Sequence, residues 1–249
     1  MFKLSKNKRG KRFANFKKLM QAFNHGISHL VFPNSCISCA CELHASEKYL
    51  CHFCWGKLVF TYHENTKEPS SLDKIFWGRV FLNETFSLFY FEQAKPSQEI
   101  LHALKYQYKP NLGIAMGEKI AHKIQENKLM LEVQALIPVP LHPKKEFIRG
   151  YNQSEKIALG ISKVLGIPVF KKQIKKIKHT ESQTKKDRFH RWENVATIFG
   201  AENAIIPFQH VAIVDDVVTT GATIEALANE LLSNNPELKI SIISLALAK

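Results

Sequence analysis

Val211-Ala212-Ile213-Val214-Asp215-Asp216-Val217-Val218-Thr219-Thr220-Gly221-Ala222-Thr223 is the stretch that decides the fold. A short apolar run ends in two acids. A small, hydroxyl-rich turn with one glycine follows, and residues 224–232 then read as an amphipathic helix. Strand, acid pair, turn and helix form an anion site with a sugar reader attached. The turn lets successive backbone N–H groups converge, Gly221 permits close approach, and the helix aims its unsatisfied N–H groups and positive dipole end at the same point. Asp215 and Asp216, expected at the strand's carboxyl end, can accept hydrogen bonds from neighbouring hydroxyls or help to hold a divalent cation. The stretch suits a ribose 5-phosphate.

The rest of the chain builds outward from this motif. Residues 85–91, 135–139, 169–177, 196–199, 210–214 and 240–246 read as strands. Residues 97–106, capped by Ser97, and residues 111–126 and 154–165 read as helices. This alternation predicts an α/β fold, a mainly parallel sheet flanked by helices. Ligands of such sheets sit beyond the carboxyl ends of the strands. The acid pair and the segment after Val139 both leave strands there, so they can converge. Residues 62–74 are polar, contain Pro69-Ser70-Ser71 and read as a linker or surface loop. Three regions are expected: a basic tail over 1–24, a cysteine module over 25–60, and the α/β domain over 61–249.

Four of the five cysteines, Cys36, Cys39, Cys51 and Cys54, form C-x2-C-x11-C-x2-C. Two thiolate pairs, each from a tight knuckle, supply the corners of a tetrahedron and predict a structural zinc ion. Zinc would organise a segment too short to bury a core of its own. Cys41 competes with Cys39 for one corner, and the C-x2-C spacing favours Cys39. His44 and His52 are further candidate ligands and are expected to face solvent.

The 249 residues suit one sizeable domain plus a small appendage, and a hydrophobic content of 45% supports a real core. No apolar stretch is long enough to span a bilayer, and no apolar segment follows the basic start. A cytoplasmic chain is expected, where disulfides are disfavoured. The net charge of +13 favours polyanionic ligands. Lys3, Lys6, Lys8, Arg9, Lys11, Arg12, Lys17 and Lys18 interleave with Phe2, Phe13, Phe16 and Leu19 without one acid. Such a tail can track single-stranded nucleic acid, lie on an anionic membrane or be a solvated terminus. A second basic cluster runs over residues 171–191.

The motif at 211–223 resembles the signature of type I phosphoribosyltransferases, which bind phosphoribosyl pyrophosphate (PRPP). Pro138-Val139-Pro140-Leu141-His142-Pro143 and Arg149-Gly150-Tyr151-Asn152-Gln153-Ser154 are similar to stretches of the ComF family of bacterial competence proteins. So are Ser182-Gln183 with Arg188, Arg191 and Asn194, and the paired-cysteine segment 32–54. The resemblance runs in the family's order from about Leu30 onward. It implies a type I phosphoribosyltransferase-like domain behind a zinc module, with a role in natural transformation.

On that reading Thr219, Thr220, Gly221, Ala222 and Thr223 cradle the 5-phosphate of PRPP, and Asp215 and Asp216 take its ribose diol. The family assigns the pyrophosphate to a loop that here contains Arg149, Gly150, Tyr151 and Asn152. Lys105, in a matching Lys-Tyr pair, faces the same site. Mg2+ would bridge pyrophosphate and ribose oxygens. Type I enzymes close a mobile loop over the site; residues 178–194 match it and bring Arg188 or Arg191 to the pyrophosphate. Asp215, Asp216, Arg149 and Arg188 would then carry any phosphoribosyl transfer. The family role implies single-stranded DNA as a partner, a competence helicase beside it, and a location that is cytoplasmic or peripheral at the inner membrane. Two rival readings remain: a metabolic phosphoribosyltransferase acting on a base or amine, and a binding-only module for PRPP or nucleic acid. Ser233-Asn234-Asn235-Pro236-Glu237 replaces a Gly-Ala turn of the family, and residues 62–84 exceed the family's length. Both departures are expected to lie away from the ligand site.

Overall fold

The computed structural model describes residues 34–61, 68–171, 175–176, 199–200 and 206–248. They separate into two compact units divided after Gly56. In chain order the elements are α1 (His52–Gly56), α2 (Ser71–Phe76), β1 (Thr85–Phe91), α3 (Pro96–Tyr106), α4 (Pro110–Glu126), β2 (Ala135–Pro138), α5 (Pro143–Arg149), α6 (Gln153–Leu165), β3 (Lys175–Lys176), β4 (Phe199–Gly200), β5 (His210–Val218), α7 (Ala222–Asn234) and β6 (Lys239–Ala248).

The larger unit is the expected parallel sheet. Its strands run in the order β1-β6-β5-β2, and all three pairings are parallel. β5 and β6 are almost continuously apolar because both of their faces are covered. On one face Ile224, Leu227, Ala228 and Leu231 of α7 pack with Val211 and Ile213 of β5 and with Leu72 and Phe76 of α2. Across the sheet α6 lies against β5 and β2 and packs on α4. That helix pair touches backbone to backbone. A Cβ on Gly160 would meet the Ile114 carbonyl oxygen at 2.1 Å, and one on Gly117 would meet that of Ile157 at 2.1 Å. Any side chain there would force the helices apart.

Five features differ from the sequence reading. Residues 71–74, the end of the stretch read as linker, form α2 together with Ile75 and Phe76. Ser70 caps it by accepting from Asp73 N–H at 3.0 Å, and Asp73 returns the bond to Ser70 N–H at 2.7 Å. The stretch after Pro143, read as loop, forms α5, capped by His142 Nδ1 and ended by Gly150 at φ 75°. Ser97 is not the cap of α3. Lys95 holds that position, while Ser97 Oγ accepts from Glu92 N–H at 3.0 Å. β5 runs on past the acids to Val218. Of the strand read at 169–177, Val169 makes a parallel bridge to Leu136, and Lys175–Lys176 pairs antiparallel with Phe199–Gly200.

Candidate functional site

The acid pair sits inside β5 rather than just past it. Asp215 registers with Ser244 of β6, and pairing continues to Val218. Asp215 Oδ1 accepts from Ser154 Oγ at 3.0 Å and from Asp216 N–H at 2.8 Å. Asp216 is buried, and its Oδ2 forms an ion pair with Lys105 Nζ at 3.1 Å. Three elements therefore meet at two carboxylates: the strand, the first turn of α6 and the last turn of α3. Burial first, then the charge of Asp216, push the Asp215 carboxyl up to about 7, against the opposing pull of its two donors and Lys105. Near neutrality Asp215 is poised between its two protonation states.

The anion turn follows directly. Thr219 and Thr220 are exposed, and Ala222 and Thr223 are half-buried. Gly221, at φ 75°, is the N-cap residue of α7, and its carbonyl accepts from Glu225 N–H at 2.9 Å. Behind it stand Ile75 and Phe76, each 2.8 Å from where a Cβ would be. Arg79 then ties the turn down. Its guanidinium donates to the Thr220 carbonyl at 2.7 Å and to the Ile75 carbonyl at 2.9 Å, and its Nε donates to Glu225 Oε2 at 3.0 Å. This corrects the expectation that residues 62–84 lie away from the site: α2 and Arg79 form the floor of the turn. Arg79 also neutralises the acid in the first turn of α7, which leaves that helix end open to an anion.

β2 and β5 are parallel neighbours, and Val139 N–H donates to Val214 O at 2.9 Å, so the segment after β2 leaves the sheet beside the acids. Within it the side chains divide. Tyr151 is buried and donates its hydroxyl to Leu104 O at 2.6 Å; burial pushes that phenol up to about 12. Asn152 caps α6, accepting from Ser154 N–H at 3.0 Å, while its Nδ2 donates to Val139 O at 2.9 Å. Both face inward, where they fix Leu104 beside Lys105 and Ser154 beside Asp215. Arg149 stands over the Tyr106 ring at 5.8 Å from its centroid, and Gly150 lies against the Tyr108 ring. Arg188 and Arg191, with the rest of 178–194, lie outside the described residues, as does the basic tail.

In the smaller unit the sulfurs of Cys36, Cys39, Cys41 and Cys51 lie within 4.8 Å of one another, close enough to hold a metal ion. This set includes Cys41, where the spacing had named Cys54. Cys54 is nevertheless close: its N–H donates to Cys51 Sγ at 3.4 Å, and its thiol neighbours those of Cys39, Cys51 and Cys36. Cys36 Sγ accepts from Cys51 N–H at 3.4 Å. The Cys41 backbone N–H first, then its thiol, lower Cys39 to about 6. The sulfur of Cys39 raises Cys41 to about 12, and burial raises Cys54 to about 12. Cys41 and Cys54 are thus held protonated unless a cation draws the protons off, and four converging cysteines are consistent with a structural zinc site. His44 and His52 are exposed and outside the group. Glu47 holds the backbone N–H groups of both, at 2.8 and 2.6 Å, and so pins the loop between the two cysteine pairs.

Among proteins of known role, the chain is 37% identical over 101 residues to "Competence protein F" of Haemophilus influenzae, which is 39% of this chain and 44% of that protein. It is 28% identical over 149 residues to "DNA utilization protein YhgH" of Escherichia coli, 57% of this chain and 64% of the relative. It is 26% identical over 164 residues to "Competence protein ComFC" of Bacillus subtilis, 66% of this chain and 59% of the relative. These relatives support the chain's resemblance to the ComF family. Each match spans less than two thirds of the relative's own length. No protein-family model matches the chain. Among the described residues no helix is long and apolar enough to cross a membrane.

The cysteine cluster and the acid pair can each be tested. First, the purified chain carries about one zinc per chain. Cys51→Ser and Cys54→Ser lower the zinc content measured by elemental analysis, whereas Cys41→Ser does not; the reverse pattern for the last two would put the fourth corner on Cys41.

The second concerns Asp215. Its folded carboxyl titrates higher than in an unfolded chain, from 3.8 to about 7, so the fold holds that proton more tightly. Stability therefore falls as pH rises between these values and is flat above them. Asp215→Asn keeps the acceptor for Ser154 and removes the penalty. In urea unfolding the variant gains on the order of 2 kcal/mol over wild type at about pH 8 and nearly nothing at about pH 4. An equal gain at both would show that the carboxyl is not perturbed.

Proposed function

We propose that this chain binds PRPP together with magnesium and serves the uptake or use of DNA. The observation that carries the ligand is the convergence of two carboxylates, Lys105 and the Thr219–Thr223 turn at the carboxyl ends of neighbouring parallel strands. The 5-phosphate takes the backbone N–H groups and hydroxyls of the turn at the positive end of α7. The ribose diol donates to Asp215 and Asp216. Lys105, which neutralises Asp216 in the free protein, is near enough to turn to the pyrophosphate, and Arg149 approaches from the segment after β2. The carboxylate pair is also the donor set that a hard divalent cation prefers. Magnesium, when bound, would neutralise the pyrophosphate as leaving group.

The role in DNA uptake or use is supported by the relatives named for competence and DNA utilization. Transfer of the phosphoribosyl group would need an acceptor held at C1. The inward commitments of Tyr151 and Asn152 favour binding as the core property of the site, because they spend those side chains on its framework.

Isothermal calorimetry with PRPP tests the ligand. Affinity rises when magnesium is added, and Asp215→Ala with Asp216→Ala lowers it by at least roughly 100-fold, since two charge-assisted interactions are lost. Equal affinity of wild type and double variant would place the ligand elsewhere.

A further inference from the structure

A second surface borders the acid pair and shares Lys105 and Arg149 with it. α5 buries none of its residues, although it carries Phe147 and Ile148, which are 90% and 81% exposed. Beside it the end of α3 and the turn into α4 present Tyr106 and Tyr108, 68% and 70% exposed. The two segments are joined by the rings themselves. The Arg149 guanidinium stands 5.8 Å from the Tyr106 centroid, and Tyr108 leans on Gly150 and meets Tyr151 edge-on at 5.9 Å. Tyr108 adopts a left-handed backbone, φ 48°, an uncommon conformation for a bulky residue. That conformation places its ring on Gly150 instead of in the core. The His102 ring lies tilted against that of Tyr106, their centroids 5.0 Å apart.

The charge of this face is one-sided. Besides Lys105, which pairs with Asp216, Lys109, Lys144, Lys145 and Arg149 stand in the two segments against a single acid, Glu146. Exposed rings interleaved with cations complement a polyanion with flat bases. A single strand offers both, whereas a duplex hides its base faces.

We propose that the α3–α4 turn and α5 form a stacking platform for the bases of single-stranded DNA, with the flanking lysines on its phosphates. The platform rests on the proposed DNA role and names where the strand lies; it makes no use of PRPP. It also places a strand beside Lys105, and so next to the acid pair.

The test is fluorescence anisotropy with the full-length chain and three labelled probes of equal length: a thymidine strand, the same strand without bases, and a duplex. Wild type is expected to bind the thymidine strand several-fold more tightly than the abasic strand or the duplex. Tyr106→Ala with Phe147→Ala weakens thymidine-strand binding by roughly 10-fold or more, since stacking on an aromatic ring is worth that much per base, and equalises the thymidine and abasic strands. Tyr106→Phe keeps the preference, because the ring and not the hydroxyl does the stacking. Calorimetry with PRPP gives the same affinity for Phe147→Ala alone and wild type. Three results would overturn the platform. Wild type that binds no strand removes the DNA role with it. Wild type that holds the abasic strand as tightly shows a purely electrostatic contact. A double variant that keeps its preference for bases puts stacking on another face.

Discussion

Two adjacent carboxylates inside a buried parallel strand form the constraint on which the rest of the larger unit depends. A central strand flanked by apolar neighbours is a costly place for charge. The fold meets that cost locally. Ser154 and the Asp216 N–H hold Asp215, Lys105 neutralises Asp216, and Asp215 in addition is held close to its protonation midpoint near neutrality. Each compensating group needs its own support. Asn152 positions Ser154 at the head of α6, and the Tyr151 hydroxyl anchors the Leu104 carbonyl beside Lys105. Arg149-Gly150-Tyr151-Asn152-Gln153-Ser154 is therefore largely a framework that builds the acid site from behind. A ribose or a cation arriving at the pair would replace compensation already present, so the site is prepared for a positively charged or hydroxyl-bearing group.

The anion turn is fixed from the opposite face of the sheet. Gly221 is pressed against Ile75 and Phe76, and Arg79 reaches from the same segment to the Thr220 carbonyl and to Glu225. A turn proposed to present its N–H groups to a phosphate benefits from being rigid before the ligand arrives. The chain obtains that rigidity from α2 and the residues just after it. The cysteine unit follows the same logic on a smaller scale: convergent sulfurs and the Glu47 clamp hold a short segment that has few apolar residues to bury.

Much of this was legible in the sequence. The apolar run ending in Asp215-Asp216 has no other stable place than a central strand, and the turn and helix after it follow from residue type alone. The helical periodicity of residues 111–126 and 154–165 marked α4 and α6 because their buried stripes are complete. Other features were hidden for physical reasons. α2 is only a turn and a half long, so periodicity is silent, although Ser70 and Asp73 with Leu72 and Phe76 carry its capping box and inner face. α5 buries nothing and has no inner stripe to read. Arg79 contacts Thr220 across more than a hundred residues, and no local pattern encodes such a bond. Cys41 and Cys54 compete because spacing sets which thiols are close but not which complete a tetrahedron.

Whether PRPP occupies the acid pair and the turn after it, as proposed, can be read from amide shifts in a magnesium-supplemented PRPP titration followed by 1H–15N NMR. The backbone N–H signals of Thr219, Thr220, Gly221, Ala222 and Thr223 are expected to move together with those of Asp215, Asp216 and Lys105, while signals of the cysteine unit stay in place. Shifts confined to other parts of the sheet, or none at saturating PRPP, would contradict that placement.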